Sequence, residues 1–279
     1  HLHRPSLTVP DRDIQAATSP KSWWKSMASY SVPRTAMSSS LEELIEIFRW
    51  INAHEKDERG PVTVLIGGWA VYSYNPWYGS VDIDLVTNRR SRQDLMWYLR
   101  NERGFVPQRD EMAPTTVAKN VPEGKIIIDF GSRGDICRFE GRDEQCLFSL
   151  LDGRTQMREI VTGFPVIVPE QTLLVIFKLK AAWDRSFRIK NGRSSDEEWE
   201  TGKLKKDRAD ILALIDPEIR DTEIDIQYLG ERLHEYPFLV QMLQEIPEDL
   251  DAINMYRRMS QVDVRARIEN LLLLALEDR

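Results

Sequence analysis

The chain is 279 residues long, 42% apolar and 30% charged, with a net charge of −7, the composition of an ordinary globular protein with length for one large domain or two modest ones. No run of about eighteen uninterrupted apolar residues occurs, and the N-terminal stretch has no short apolar segment of the secretory kind, so the expectation is a cytoplasmic protein with no membrane association. Two cysteines, Cys137 and Cys146, are too few for a disulfide framework and fit no C-x-x-C metal pattern, which leaves free thiols.

Residues 1–40 contain Pro5, Pro10, Pro20 and Pro33 and many serines, and are expected to form an irregular arm, with Trp23, Trp24 and Tyr30 docking onto the body or a neighbouring subunit. A mixed α/β domain over 41–169 and a helical domain over 170–279 follow. Ser40 and Glu43 have capping-box spacing, and Leu41, Leu44, Ile45, Ile47, Phe48 and Ile51 recur at helical intervals, which predicts a helix from Ser40 to about His54. The β-branched run Val62–Ile66 stops at Gly67-Gly68 and continues as Trp69-Ala70-Val71-Tyr72-Ser73-Tyr74, reading as strand, tight turn and short helix. A strand over 80–87 comes next, then a helix over 91–101 and a second sheet portion. In that portion, Lys125-Ile126-Ile127-Ile128-Asp129-Phe130-Gly131 reads as a buried strand carrying one carboxylate, and Gly163–Pro169 as a short strand. Helical periodicity then predicts segments near 170–188, 200–215, 221–245 and 260–277, with Glu197, Glu198 and Glu200 as a solvated face in the loop between two helices. The fold class expected is thus α+β, a mixed sheet with flanking helices followed by a helical bundle.

Charge is uneven along this order. From Lys178 to Arg193 there are six basic residues and one acid, with Lys203, Lys205, Lys206 and Arg208 soon after, whereas Asp216 to Asp251 carries eleven acids against two arginines. A basic surface beside an acidic tail is the simplest picture, and such a surface suits a triphosphate and a nucleic-acid backbone.

Side chains alternate along a strand, so Asp82 and Asp84 point the same way while Val81, Ile83 and Leu85 face the core. Two carboxylates held side by side repel unless a hard cation such as Mg²⁺ lies between them. Nucleotidyl transfer by the two-metal route uses such carboxylates to hold two cations about 4 Å apart. Asp129, alone in an apolar run, is the natural third, because burying it without a partner or metal is costly. Gly67 and Gly68 offer backbone N–H groups at a helix start and let phosphates approach closely, with Ser80 close before the acids. Lys178 and Lys206 are point charges suited to a triphosphate, and Asp207 and Asp210 share one helical face. Plainer roles stay open: Lys178 and Lys180 as surface lysines, Asp207 and Asp210 pairing with Arg185 or Lys206. Trp69, Tyr72 and Tyr74 are either core packing or a stacking surface for a base.

Gly67-Gly68, Asp82-Ile83-Asp84 and Asp129 resemble the signature of the DNA polymerase β-like nucleotidyltransferase superfamily. Lys178–Arg185 and Lys206-Asp207-Arg208-Ala209-Asp210 resemble the lysine-helix and Lys-Asp-x-x-Asp segments of the AbiEii-like toxin nucleotidyltransferases, so the likeness covers roughly residues 60–215. The resemblance implies that Lys178 contacts nucleotide phosphates and that Lys206, Asp207 and Asp210 form a charged cluster near the site. It departs from the pattern at Tyr78-Gly79-Ser80-Val81, where many relatives carry a basic residue.

The function expected is a Mg²⁺-dependent enzyme, with two ions, that moves a nucleoside monophosphate from an NTP to a hydroxyl acceptor. Asp82 and Asp84 bridge the metals, Asp129 orients the attacking hydroxyl or ligates the second metal, Gly67 and Gly68 cradle phosphate, and Lys178 balances its charge. By resemblance the acceptor is RNA, a tRNA 3′ end above all, and the setting a toxin paired with a cognate antitoxin. Two other readings remain: an acceptor that is a small cationic molecule or a protein side chain, which the acidic segment after Asp216 would suit, or a non-catalytic nucleotide-binding regulator.

Overall fold

The computed structural model of the chain describes residues 32–55, 62–108, 115–219 and 223–277. The first element is a helix, α1, Arg34–His54. Its apolar stripe is the expected one, and Leu44, Ile47 and Phe48 are fully buried. It starts six residues ahead of Ser40, so the last part of the stretch expected to be irregular is helical, while residues 1–31, with Trp23, Trp24 and Tyr30, lie outside the described residues. Ser40 caps nothing. It is buried inside the helix, where its hydroxyl donates to the Val81 carbonyl and accepts from the Trp69 indole, so a bond across the fold takes the place of a local cap.

The central sheet has five strands: β1 (Val64–Ile66), β2 (Ile83–Thr87), β3 (Val106–Pro107), β4 (Val117–Val121) and β5 (Gly124–Ser132). Their order is β1-β2-β5-β4-β3. β2 runs parallel to β5 and the remaining neighbours pair antiparallel, so the sheet is mixed. Two helices lie between strands: α2 (Gly67–Tyr74) opens directly out of β1, and α3 (Arg89–Asn101) follows β2 with Asn88 as its cap, accepting from Ser91 N–H. Along β5 burial alternates. Ile126, Ile128 and Phe130 enter the core while Asp129 stays exposed, so the strand expected to be buried is covered on one face and its carboxylate lies on the other.

A hairpin of β6 (Ile136–Arg138) and β7 (Gln145–Leu147) places Cys137 opposite Cys146, both as free thiols. A second hairpin joins β8 (Thr155–Val161) to β9 (Phe164–Pro169). The rest is helical: α4 (Gln171–Lys190), α5 (Glu197–Ile215), α6 (Ile226–Glu235), α7 (Phe238–Glu245), α8 (Leu250–Tyr256) and α9 (Gln261–Leu276). The protein is therefore α+β, a mixed sheet followed by a helical C-terminal region. The periodic segment over 221–245 is two helices, because Pro237 offers no N–H and pushes Tyr236 out of helical geometry, to φ −124 and ψ 67. Glu197, Glu198 and Glu200 are the first turn of α5, capped by Asp196. Glu200 is buried between Arg185 and Arg188, which corrects its expected place in a solvated loop. Among the described residues no helix is long and apolar enough to cross a membrane.

One cluster of buried apolar side chains runs from Leu41 of α1 through Leu65, Leu85 and Ile128 of the sheet to Ala275 of α9. On the other face of the sheet, Val64 and Val86 pack with Leu173 of α4 and Tyr228 of α6. Helices α4 and α5 pack along each other, and α4 leaves β9 at the turn Pro169-Glu170, so the sheet's acidic strand ends and the basic helices belong to one packed unit. Asn75, at the end of α2, donates to the Ala213 carbonyl of α5 and to Tyr256 of α8, and accepts from Arg258. Helices α6 and α9 approach at Gly230, where a Cβ would fall 2.3 Å from the Ala275 carbonyl oxygen. Gly230→Ala is expected to force the two helices apart and to cost about 1–3 kcal/mol, read as a lower urea midpoint with an unchanged m value.

Candidate functional site

The site forms where β1 ends. Gly67 has φ +71, a left-handed conformation natural to glycine, and a Cβ there would lie 2.0 Å from Asp84 Oδ2. The chain therefore turns at Gly67 in the space that the Asp84 carboxylate leaves. The pairing is dictated by register: Ile66 stands opposite Asp84 on one side and Asp129 opposite it on the other. Asp82 lies one residue before β2 begins. Gly68 comes next, its Cα facing the Ser80 hydroxyl and the Lys206 ammonium, 3.1 and 3.4 Å from where a Cβ would sit. Gly67, Gly68, Ser80, Asp82, Asp84, Asp129 and Lys206 are thus brought together.

Burial and the charges of Asp82 and Asp129 push the Asp84 carboxyl up to about 7, with Lys178 and Lys203 offsetting part of the rise. Asp129, on the central strand, is exposed on the open face of the sheet, yet its carboxyl is raised too, by partial desolvation first and then by Asp82, against a hydrogen bond from the Thr116 hydroxyl and the charge of Lys203. The Lys203 ammonium donates to Asp82 Oδ2 at 2.6 Å. Hard oxygen donors carrying excess negative charge are what a small divalent cation takes, so the donor set fits one. Among the described residues no three His, Cys, Asp or Glu side chains converge as a ready-made cation site. The reason is local: Asp82 is drawn to Lys203 and Asp129 to Thr116, so a shared cation requires both side chains to turn back towards Asp84.

Beneath the acids lies an alternating ladder of charge between α4 and α5. Lys178 Nζ sits 3.0 Å from Asp207 and 2.8 Å from Asp210; Lys206 is 2.9 Å from Asp210; Arg185 Nε is 2.9 Å from Asp207. Asp210 is fully buried and both lysines nearly so. Burial would raise Asp207, but Lys178 and Arg185 outweigh it and hold the carboxyl at about 2. Burial likewise works against charge on Lys178, and Asp207 with Asp210 overcomes it, raising the ammonium above its ordinary value. Lys206 moves the other way: desolvation prevails, helped by Lys178, and lowers it. Lys178 and Lys206 therefore enter the site from below, held by the two aspartates, and are not surface lysines. Lys180 faces the β6–β7 hairpin instead, bonding the Arg138 carbonyl.

No protein-family model matches this chain, and no curated protein matches it. The site is accordingly read from its own geometry. Of the aromatic residues singled out in α2, Trp69 and Tyr74 are core, tied to Ser40 and to the Pro169 carbonyl, and Tyr72 packs edge-on against Trp69. Thr116 and Trp199 had no expected role, and Lys203 only that of one charge in a basic surface. Thr116 reaches Asp129 across 13 residues, a separation that carries no motif, whereas Lys203 and Trp199 stand at i, i+4 on the helix that also carries Lys206, a spacing open to reading from sequence.

In metal-free protein the Asp84 carboxyl titrates near 7 folded against an ordinary 3.8, so between these values the folded state holds a proton that the unfolded chain has released. Stability from this group is then fully present below the lower value and is lost as pH rises through about 7. Asp84→Asn is expected to flatten that fall, measured as urea midpoints at pH 5 and pH 8 with chelator present; an unchanged slope would contradict it. Lys178→Ala leaves two buried carboxylates short of a cation and is expected to cost about 3–5 kcal/mol, read by the same denaturation.

Proposed function

We propose that the chain is a metal-dependent nucleotidyltransferase with a polymerase β-like catalytic fold. One observation carries this reading: the glycine turn that opens α2 is packed against the carboxylate of Asp84, with Asp129 in register beside it. A phosphate-accepting turn and a cation-accepting group of acids thereby meet at a single place. The backbone N–H groups at Gly67 and Gly68 face a triphosphate, Ser80 adds a hydroxyl, and Lys206 stands beside the turn to neutralise phosphate charge. Lys178, behind it, contributes positive field at Asp84, while Asp207 and Asp210 keep both ammonium groups from rotating away.

Asp82, Asp84 and Asp129 would hold Mg²⁺, two ions in the full arrangement, and bound Mg²⁺ would supply Lewis-acid polarisation of the phosphate oxygens and charge neutralisation of the leaving group. In the reaction an acceptor hydroxyl oxygen forms a bond to the α-phosphorus of the NTP, the bond from that phosphorus to the bridging oxygen breaks, and pyrophosphate departs. The hydroxyl proton passes to a carboxylate at the cleft edge, where Asp129 is the exposed candidate. The resemblance to AbiEii-like toxins favours RNA, and a tRNA 3′ end in particular, as acceptor, in a cytoplasmic toxin–antitoxin setting.

The test is incubation with each NTP labelled at the α-phosphate, Mg²⁺ and total RNA, for the wild type and for Asp82→Ala, Asp84→Ala and Asp129→Ala. Label is expected on RNA, with each variant reduced on the order of a hundredfold and chelator abolishing the transfer. Equal label on RNA, protein and small molecules from wild type and variants would end the catalytic reading, and label on protein or a small amine would move the acceptor.

A further inference from the structure

Trp199 is 48% exposed, although tryptophan is among the most costly side chains to leave in water. It lies in the first turn of α5, and its surroundings are those of a ligand surface. The Arg185 guanidinium carbon is 5.5 Å from the ring centre and the Lys203 ammonium 5.4 Å, both within cation–π range. Neither cation is loose: Arg185 is fixed by Asp207 and Lys203 by Asp82. A single ammonium group thus links the indole to the carboxylate site.

Helical spacing extends the connection. Trp199, Lys203, Lys206 and Asp210 follow one another at i, i+4, i+7 and i+11 along one face of α5. Their side chains pass from half exposed at Trp199, through 16% at Lys203 and 7% at Lys206, to fully buried at Asp210. The stripe runs from solvent down to the glycine turn, where Lys206 meets Gly68. From Trp199 to Lys206 the helix rises roughly 10 Å, the kind of span that separates the base of a nucleotide from its outer phosphates. The polar end of this track is phosphate-like in its demands and the exposed end is flat and aromatic.

We propose that Trp199 is the stacking platform for a nucleobase at the outer end of the track that leads to Gly67–Gly68 and Lys206, with Arg185 and Lys203 flanking the base and neutralising charge between the two ends. The proposal rests on the nucleotidyltransferase reading and adds to it the residue that grips the base. The base is that of the bound NTP or that of the terminal nucleotide of an acceptor strand, which present the same chemistry to the indole. Stacking of this kind tolerates any base, since each has a π face.

Binding is measured by calorimetry with ATP and Mg²⁺, with hexaadenylate, and with inorganic triphosphate and Mg²⁺, for the wild type, Trp199→Leu and Trp199→Phe. Leucine fills the same apolar space without a ring, and a role in packing alone would survive it. Trp199→Leu is expected to weaken ATP or hexaadenylate about tenfold or more, to leave inorganic triphosphate within twofold, and to be largely rescued in Trp199→Phe. Loss confined to ATP assigns the base to the incoming nucleotide, and loss confined to hexaadenylate assigns it to the acceptor. If the wild type binds ATP or hexaadenylate and Trp199→Leu binds them equally well, the platform is wrong while the site reading stands. If the wild type binds neither, both fall together.

Discussion

Asp84 places a carboxylate against the turn that ends β1, in the space left by the missing side chain of Gly67. Most of the site's surroundings answer to this charge. Asp82 and Asp129 add to it, one two residues away along the chain and the other across a parallel pairing, and burial of Asp84 itself adds to the cost of its charge. Positive charge has to be supplied by the protein or by a ligand. The protein supplies it partially and from one direction, through Lys203 at Asp82 and the field of Lys178.

That direction explains how the helical region is joined to the sheet. Lys178 and Arg185 belong to α4, and Lys203, Lys206, Asp207 and Asp210 to α5. Their alternating pairs let two helices bring four cations towards the glycine turn and the acids with their mutual repulsion offset, because each cation has a carboxylate partner. Buried ion pairs of this kind add little net stability against a well-packed apolar alternative. Their value here lies in position: each ammonium is held near the glycine turn or the acids with little side-chain freedom left.

The same helices carry the packing that keeps the geometry. Leu173 of α4 and Tyr228 of α6 cover Val64 and Val86 of β1 and β2, and Asn75 ties the end of α2 to α5 and α8. Displacing α5 would therefore move Lys206 from Gly68, Lys203 from Asp82 and Trp199 from the cleft at once. Along this one helix Trp199, Lys203, Lys206 and Asp210 run from half exposed to fully buried.

Local features were legible in the sequence because they are decided by neighbours along the chain. The glycine turn after an apolar strand and the helices over α3, α4, α5 and α9 follow from short-range periodicity and from backbone conformations, whereas strand alternation did not fix Asp82, which lies before β2 and turns to Lys203. Errors came where a distant partner intervened. Ser40 carried a cap pattern but bonds Val81 and Trp69; Glu200 stood among acids yet turns inward to Arg188; strands such as β4 and β8, with mixed and weakly alternating residues, took shape only by pairing. By itself, then, the sequence determined which residues could make a phosphate turn and an acidic strand end. Only the tertiary structure decided that Asp129 stands in register with Asp84, that Lys203 reaches Asp82 across 121 residues of chain, and that Trp199 is exposed where Trp69 is buried. Such outcomes depend on which surfaces meet when sheet and helices pack, and residue spacing along a chain carries no record of those meetings.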